Sequence, residues 1–503
     1  MEQVSDPESK QRAATGKTPA DLVVSGGRVV TPTGVVEGAV VIRDGVIERI
    51  APAGSQHPAT STIDVAGQYV FPGLIDSHVH FRTPGLEHKE DWWHGSRAAI
   101  TGGVTTVVDM PNTRPPSLTS QALIEKARVV NASSWVDYAF HLGADPENPQ
   151  VLATAARGVA SSVKVFMAGH HTAPVVFRDP AALSAAFSAA ARTGVRLVVH
   201  AEDQSVFDLI DRVHGEPTSY REYERSRPRS AGIVAVVRII DLVRCHGTKV
   251  HVLHPSCEEE VDLLVAAAAE GLPISFEVTG HHLSFTDQDT CWRGSRTRLS
   301  PALRTDRDRQ RLWRAIIRRE AATLGSDHAP HTLEEKSLEP AQAPPGLPGV
   351  QELATVVWTG LTGQFPAMPL DEAAGHLARV MGSGPAQLFS LTGKGRLVPG
   401  ADADLAVFDP TVRWQLTPDL IQAKCGWSAY EGWVLTGRFT TVVQRGELAW
   451  DLARGFQGQP RGRWLAGPRR PGRPSTAAMI TESGPGTTVG HLTPSRITLQ
   501  DTP

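Results

Sequence analysis

Short apolar runs alternate with longer, alanine-rich stretches between residues 71 and 395. Strand-like runs that alternate with helix-like stretches are typical of a parallel sheet whose strands are joined by helices. Eight runs qualify as strands: GLIDSHVH, VTTVVDM, VDYAFHL, SVKVFMAG, VRLVVHAED, KVHVLHPS, PISFEV and AATLGSDHAP. Eight such units over about 320 residues predict an α/β fold of the (β/α)₈ TIM-barrel type with insertions. A doubly wound open sheet is the alternative, and the lack of G-x-G-x-x-G after the first strand disfavours it.

The segments on either side of this region have a different pattern. Residues 21–70 and 396–450 contain short β-rich pieces separated by Gly and Pro turns, which indicate antiparallel strands. A sheet as small as either piece is marginal on its own. We therefore predict that the two ends of the chain build one composite β-sandwich beside the barrel.

The outermost segments lack a periodic pattern. Residues 1–20 are polar and predict a disordered leader without the apolar core of a secretory signal. Residues 451–503 are rich in Gly, Pro and Arg, a composition that favours a solvated, mostly disordered tail. The arginines of the tail could also contact a partner.

The composition narrows the class of protein. The formal net charge is −3, so no bulk field calls for nucleic acid or an anionic membrane. No run of about 20 apolar residues is present to cross a bilayer. Four scattered cysteines without a C-x-x-C pair argue against a disulfide framework or a cysteine zinc site. We expect a reduced, soluble, cytoplasmic protein with no nucleic-acid or membrane partner.

Polar side chains stand where the predicted barrel strands end, which is where barrels carry their chemistry. The set is His78, His80, Lys164, His200, His254 and Asp327. His78 and His80 are two residues apart on one strand and so point to the same side. Imidazole nitrogen suits zinc and other first-row divalent ions.

Each of these histidines taken singly could be a structural histidine with its hydrogen bonds satisfied. Several imidazoles that converge with a carboxylate and no ligand would be costly to desolvate, so the set as a whole favours a metal site. Lys164 does not fit at first, because an ammonium beside metal ions is repelled. Either Lys164 lies elsewhere, or carbon dioxide converts it to a carbamate, an anion able to bridge two cations.

Several motifs together carry a resemblance to a known family. They are DSHVHFRTPG with HKED, GGVTTVVDMPNTRPP, VKVF, HAED, HVLH, EVTGHHL, GSDHAPHTLEEK with PPGLPGVQE, and GKGRLVPGADADLAVFDP. Over residues 21 to 450 the chain resembles the amidohydrolase superfamily, and within it the dihydroorotase group of cyclic amidases. The resemblance implies a hydrolase of C–N bonds in cyclic amides that forms a homo-oligomer and acts on a small molecule.

The resemblance also implies a binuclear zinc centre. His78, His80 and Asp327 would bind the more buried ion, and His200 and His254 the second. Carboxylated Lys164 would bridge the two. Asp327 would serve as general base and then general acid. Glu277, His281 and His282, near the end of the seventh strand, remain candidates for outer contacts.

The substrate follows from three further residues. In dihydroorotases the residues matching Arg82, Asn112 and His331 hold a carboxylate, so the resemblance implies interconversion of N-carbamoyl-L-aspartate and L-dihydroorotate in pyrimidine biosynthesis. A surface salt bridge for Arg82 and turn roles for Asn112 and His331 are the alternatives. Ser300 and Ala302 depart from the Asn-Pro-Pro of many relatives.

These departures leave room for other functions. The first alternative is an enzyme of the same chemistry, either hydantoinase-like or allantoinase-like, or a specialised cyclic ureide hydrolase. The second is a non-catalytic relative that only assembles with partner enzymes. Such relatives typically lack metal ligands, whereas this sequence retains the whole set.

Overall fold

The computed structural model describes residues 19–150, 152, 156–169, 175–363 and 367–466. Within them the strands form two sheets. The first sheet uses both ends of the chain: β1 (Ala20–Thr31), β2 (Gly34–Arg43), β3 (Val46–Pro52), β4 (Ala59–Asp64), β5 (Tyr69–Pro72), β14 (Leu405–Gln415), β15 (Val434–Gln444), β16 (Glu447–Asp451) and β17 (Gly455–Phe456). The second uses the middle: β6 (Leu74–Val79), β7 (Val104–Asp109), β8 (Asp137–Gly143), β9 (Ser162–Phe166), β10 (Leu197–His200), β11 (Val250–Leu253), β12 (Ile274–Thr279) and β13 (Thr323–Gly325).

The second sheet is a barrel of parallel strands in chain order from β6 to β13. Its two edges meet where Val79 pairs in parallel with His328. The backbone N–H of His80 donates to the carbonyl of His328 at 2.8 Å across the same seam. All eight predicted strands are present, and the predicted barrel is confirmed. Its strands are buried on both faces, as their nearly continuous apolar sequences require.

Helices connect the barrel strands and cover them. Their bounds are α1 (Trp92–Thr101), α2 (Ser120–Val130), α3 (Pro180–Thr193), α4 (Gln204–His214), α5 (Tyr220–Ser226), α6 (Arg229–His246), α7 (Glu258–Ala269), α8 (Gly280–Ser284), α9 (Asp287–Arg293), α10 (Asp306–Ile317), α11 (Leu333–Lys336), α12 (Leu353–Gly363), α13 (Leu370–Ala378) and α14 (Gly384–Leu388). Local sequence sets these bounds, as α3 illustrates. Asp179 caps its first turn, Pro180 follows with a preset φ, and Gly194 ends it at φ 73°.

The composite sheet joins the two ends of the chain, as predicted. Its strand order is β17-β16-β15-β14-β5-β1-β2-β3, with β4 paired to β1. The junction is the antiparallel pair β5 and β14, in which Val70 lies opposite Val407. Side chains from both ends pack in one apolar cluster that includes Val40, Ile42 and Leu405. Because β5 runs directly into β6, this sheet anchors the start of the first barrel strand.

The chain ends differ in part from the prediction. Residues 1–18 of the predicted leader lie outside the described residues, and Ala20 already belongs to β1. The predicted tail is wrong over residues 451–466, because Trp464 is 4% exposed and pairs in parallel with Tyr138 of β8. Backbone hydrogen bonds to Ser134 and Tyr138 add to the buried indole in holding this segment, and average composition reveals neither. Residues 467–503 lie outside the described residues.

In the part of the chain that the structure describes, no helix combines the length and the apolar character needed to cross a membrane.

Candidate active site

The six residues that the sequence marks as metal ligands meet at the carboxyl ends of the barrel strands. His78 belongs to β6, Lys164 to β9 and His200 to β10. His80 and His254 directly follow β6 and β11, and Asp327 comes after Ser326 beyond the end of β13. All six line one pocket with about 400 Å³ of open volume. The side chain of Asp327 is 13% exposed, and the other five residues are buried. The predicted convergence of these side chains is therefore present in the fold.

The ring nitrogens and the carboxylate oxygen that face the pocket are close enough to one another to bind the same cation. Nε2 of His78 and Nε2 of His80 each lie 3.1 Å from Oδ1 of Asp327. One ligand atom from each of His78, His254 and Asp327 lies within 4.8 Å of the others. Nδ1 of His200 is 3.2 Å from Nε2 of His254. The arrangement thus has one group around Asp327 and a second around His200, which share His254 as a neighbour.

Outer contacts fix three of the rings. Nδ1 of His78 donates to Glu277 Oε1 at 2.7 Å, and Nδ1 of His80 donates to Asn112 Oδ1 at 2.8 Å. Nε2 of His200 donates to a carboxylate, Oε2 of Glu202, at 2.9 Å. When such a ring is neutral, its proton stays on the outer nitrogen and the lone pair of the inner nitrogen is directed into the pocket. This is the usual environment of metal-binding histidines.

The histidines of the pocket differ in the direction in which their surroundings shift their pKa values. Burial lowers the pKa of His80 to about 3, and burial with the neighbouring His200 holds the pKa of His254 well below its usual range. Burial opposes the charged form of His78 as well, but Asp327 and Glu277 outweigh it and raise the pKa of His78 to about 9. A cation bound between His78 and Asp327 would have to displace this proton.

Lys164 lies in the same pocket and is 1% exposed. Its Nζ is 4.6 Å from the centroid of the Phe166 ring. Burial lowers the pKa of Lys164 to about 7, although Asp327 and Glu277 partly oppose the shift. A buried amine with a lowered pKa is neutral for much of the time, and the neutral amine is the form that can react with carbon dioxide.

The donor set fits a pair of divalent cations. Four imidazoles, a carboxylate and a lysine that can carry a carbamate are the ligand types that zinc accepts. Nδ1 of His254 is buried without a hydrogen-bond partner among the described residues, so this ring lacks the outer contact of the other three. Lone pairs that face the pocket and a buried nitrogen that is not satisfied are expected of a site built for a cation.

The backbone is strained at three of the predicted site residues. Arg82, His254 and Asp327 have φ values of 62°, 39° and 46°. This left-handed conformation costs a non-glycine residue about 1–3 kcal/mol and concentrates at functional sites. Here it occurs directly after strands, where the chain must turn away from the barrel while the side chain stays at the pocket.

Arg82 and His331 lie together behind this pocket, and neither they nor Asn112 are among the residues that line it. Arg82 is 1% exposed, its Nε donates to the carbonyl of Pro330 at 3.3 Å, and its Nη2 is 3.3 Å from Nε2 of His331. Its Nη1 is buried and has no hydrogen-bond partner among the described residues. Burial lowers the pKa of Arg82 to about 10, so the guanidinium stays charged at neutral pH. Asn112 is placed differently, with its amide oxygen on the His80 ring.

Sequence reasoning missed two residues of this group. Lys89 is buried, and its Nζ lies 3.1 Å from Nδ1 of His331 and 2.7 Å from Oε1 of Glu335. The signal was the HKED stretch that follows the first strand, in which Lys89 was not singled out. His281 and His282, in contrast, make hydrogen bonds to Tyr430 and Thr279, and they do not line the pocket.

The closed parallel barrel and the imidazole-rich pocket at its carboxyl ends define a β/α-barrel protein with a candidate metal centre. The chain belongs to the amidohydrolase family, whose model matches residues 69–448. It is 35% identical to a dihydroorotase of Halobacterium salinarum over 82% of this chain and 96% of that protein. It is 32% identical to an allantoinase of Rubrobacter xylanophilus, over 90% of this chain and 99% of that protein.

Solved structures agree with the fold. The L-hydantoinase (dihydropyrimidinase) of Arthrobacter aurescens superposes with a TM-score of 0.84 at 27% identity, and the match covers 89% of this chain and all of that one. The relatives thus include dihydroorotases, allantoinases and hydantoinases. The family is established, and the choice among these activities depends on the residues of the pocket.

Proposed function

We propose that this chain is a zinc-dependent cyclic amidohydrolase, and specifically a dihydroorotase that interconverts N-carbamoyl-L-aspartate and L-dihydroorotate. The observation that carries the proposal is the buried guanidinium of Arg82 beside His331, with Nη1 unsatisfied among the described residues. A buried charged donor without an acceptor is costly. A carboxylate on the substrate ring would supply that acceptor in the geometry that a guanidinium prefers.

The proposal includes two zinc ions. His78, His80 and Asp327 would hold one, His200 and His254 the other, and carboxylated Lys164 would connect them. When bound, the ions would polarise the ring carbonyl and lower the pKa of a water molecule. Support comes from the convergence of all six side chains in one pocket and from the outer hydrogen bonds that orient three of the rings.

The chain's own residues would position the substrate and move the proton. His78 and His80 hold the pKa of Asp327 well below its usual range although burial opposes this, so the carboxylate is ionised and can accept a proton. Asp327 would take the proton of the attacking water and pass it to the ring nitrogen that leaves. Arg82 and His331 would hold the ring by its carboxylate. In the direction of ring closure the same groups act in reverse order.

Allantoinase-like or hydantoinase-like activity is the alternative, and one specific feature of the chain favours it. Ser300 and Ala302 replace residues common in dihydroorotases, and Ser300 lines the pocket. A ring without a carboxylate would leave the buried Arg82 unsatisfied, which favours the dihydroorotase proposal. A non-catalytic scaffold is disfavoured because an idle cluster of buried polar ligands is costly.

A substrate panel tests the proposal. Protein reconstituted with zinc and bicarbonate is assayed on dihydroorotate, hydantoin and allantoin. We expect dihydroorotate to be the best substrate. Arg82→Met should lower its kcat/KM by about 10- to 150-fold, because a hydrogen bond to a buried charge contributes about 1.5–3 kcal/mol. The turnover of hydantoin should change less than about threefold, because hydantoin has no carboxylate and loses no charged hydrogen bond when Arg82 is replaced.

Two results would contradict the proposal. Preference for allantoin or hydantoin over dihydroorotate would move the chain to the alternative activity. Less than one equivalent of zinc, with no turnover of any cyclic ureide after reconstitution, would favour the scaffold. Arg225→Met, an exposed arginine on α5, is the matched control for loss of a guanidinium.

A further inference from the structure

A second cavity adjoins the catalytic pocket and has no part in the proposed reaction. It has about 840 Å³ of open volume, and the two cavities share Ser300 and Pro345 in their walls. The remaining wall comes from α4 and α5, from residues 215–217 between them, and from Gly169, Arg227, Arg298 and Ala341. A group attached to a substrate ring in the catalytic pocket could extend past Ser300 into this space.

Arg298 is the buried cation of this cavity. It is 3% exposed, and its guanidinium carbon lies 3.9 Å from the centroid of the Tyr223 ring. The Tyr223 hydroxyl is fixed by donation to the carbonyl of Leu299 at 2.8 Å. Nη1 of Arg298 donates to the carbonyl of Pro340, whereas Nε is buried with no hydrogen-bond partner in the described ranges. The guanidinium thus lies over an aromatic ring with one donor idle, which is costly unless an acceptor is supplied.

Arg227 repeats this arrangement on the same cavity. Its guanidinium carbon is 4.3 Å from the centroid of the Phe207 ring, and its buried Nη1 has no hydrogen-bond partner among the described residues. The carboxylate of Asp211 is 4.0 Å from that nitrogen and half-exposed, and Glu216 is exposed. The acidic groups therefore lie toward solvent, while the most buried charge of the cavity, Arg298, is positive.

We propose that this cavity is a subsite for a carboxylate at the end of an arm on the substrate ring. A planar guanidinium stacked on an aromatic ring is a preferred partner of a carboxylate. Arg298 would bind the carboxylate and Arg227 would assist. Ser300 at the junction is small, and its hydroxyl is directed to Glu202 Oε2 at 2.9 Å. The substrates so defined are cyclic ureides, hydantoins or dihydropyrimidines, whose ring bears an acid-terminated arm.

The inference rests on the proposed function, because the ring of such a substrate must lie in the catalytic pocket. The test compares hydantoin-5-propionic acid with its neutral amide of the same size. With zinc-reconstituted wild type we expect kcat/KM to favour the acid by at least about tenfold, the equivalent of one charged hydrogen bond. Arg298→Met and Arg227→Met should each reduce that preference to within about threefold, and the acetic and butyric homologues locate the best arm length.

Arg298→Lys should retain part of the preference for the acid over the amide. Lysine keeps the positive charge but lacks the two parallel N–H donors of a guanidinium. Arg225→Met removes a neighbouring arginine outside the cavity and should leave the preference unchanged. Calorimetric binding of hydantoin-5-propionic acid to metal-free protein gives a second readout that needs no turnover. There Arg298→Met should weaken binding by about tenfold. If Arg298→Met does not fold, Arg227→Met, whose side chain is partly exposed, decides the matter.

The two proposals fail separately. If wild type turns over dihydroorotate but treats acid and amide alike, the arm subsite is wrong and the proposed function stands. If no cyclic ureide is turned over, the proposed function is wrong, and equal calorimetric affinity of wild type and Arg298→Met would overturn the subsite as well.

Discussion

Glu277→Gln tests whether an outer carboxylate organises the candidate metal centre. Glu277 is fully buried in β12, and its Oε1 accepts from His78 Nδ1 at 2.7 Å. Glutamine keeps the size of the side chain and removes the charge that orients the ring. Loss of such a partner typically weakens metal binding by about 10–100-fold, which equals about 1.4–2.7 kcal/mol.

A second effect of the same substitution opposes the first. Glu277 is one of the groups that raise the pKa of His78 to about 9, and a proton on His78 competes with a cation. Removing the carboxylate weakens the binding of the competing proton to His78 as well as the binding of the cation. Near pH 7 the two losses partly cancel, and we expect about a tenfold loss of zinc affinity. Above pH 9.5 the proton no longer competes, and the loss should approach about 100-fold.

Zinc affinity is measured by competition with a chelator at pH 7 and pH 9.5, on wild type and variant. Glu372→Gln is the matched control, because Glu372 also faces a histidine, His376 at 3.9 Å, away from the pocket. The control should bind zinc like wild type. Equal affinity of Glu277→Gln and wild type at both pH values would refute the reasoning, since Glu277 would then neither orient nor charge the ring.

Two further perturbations follow from the structure. In metal-free protein the pKa of His78 is raised above its unfolded value of 6.5 to about 9, so the stabilising effect of His78 is fully present below pH 6.5 and is lost as pH rises through about 9. The urea midpoint of wild type minus that of His78→Gln should therefore decrease between about pH 6 and pH 10. A difference that stays constant over this range would contradict the assignment. Trp464→Ala should lower stability by about 3–5 kcal/mol, seen as a lower melting temperature; no change would mean that residues 451–466 do not stabilise β8.

The sequence was sufficient for the barrel and for the convergence of the ligands. Parallel strands buried on both faces are continuous apolar runs, so each of the eight was visible locally. Their carboxyl ends lie on one face of the barrel, and polar residues at those ends must meet there. His200 and His254 could therefore be placed together although they are 54 positions apart.

Contacts that depend on side-chain direction could not be read from the sequence. Glu277 is 199 positions from His78, and only the order and stagger of the strands bring them together. The contact of the Asn112 amide oxygen with Nδ1 of His80 was not foreseen, and the predicted role of Asn112 in holding a substrate carboxylate stays a prediction. The docked segment around Trp464 was missed for a related reason, since its position depends on one buried ring and a few backbone hydrogen bonds, whereas composition reports an average.

The candidate centre lies where the barrel closes, and this links folding to function. Val79 pairs with His328 and the N–H of His80 donates to the His328 carbonyl, so the seam joins β6 to the segment after β13. The same closure places His80 Nε2 3.1 Å from Asp327 Oδ1. The ring of His328 makes further contacts, with Glu90 Oε2 at 3.2 Å and with the N–H of Gly349 at 3.1 Å. The backbone that closes the barrel is therefore the backbone that positions Asp327, the proposed general base, and a ligand held by both sides of the seam would stabilise the closed state by mass action.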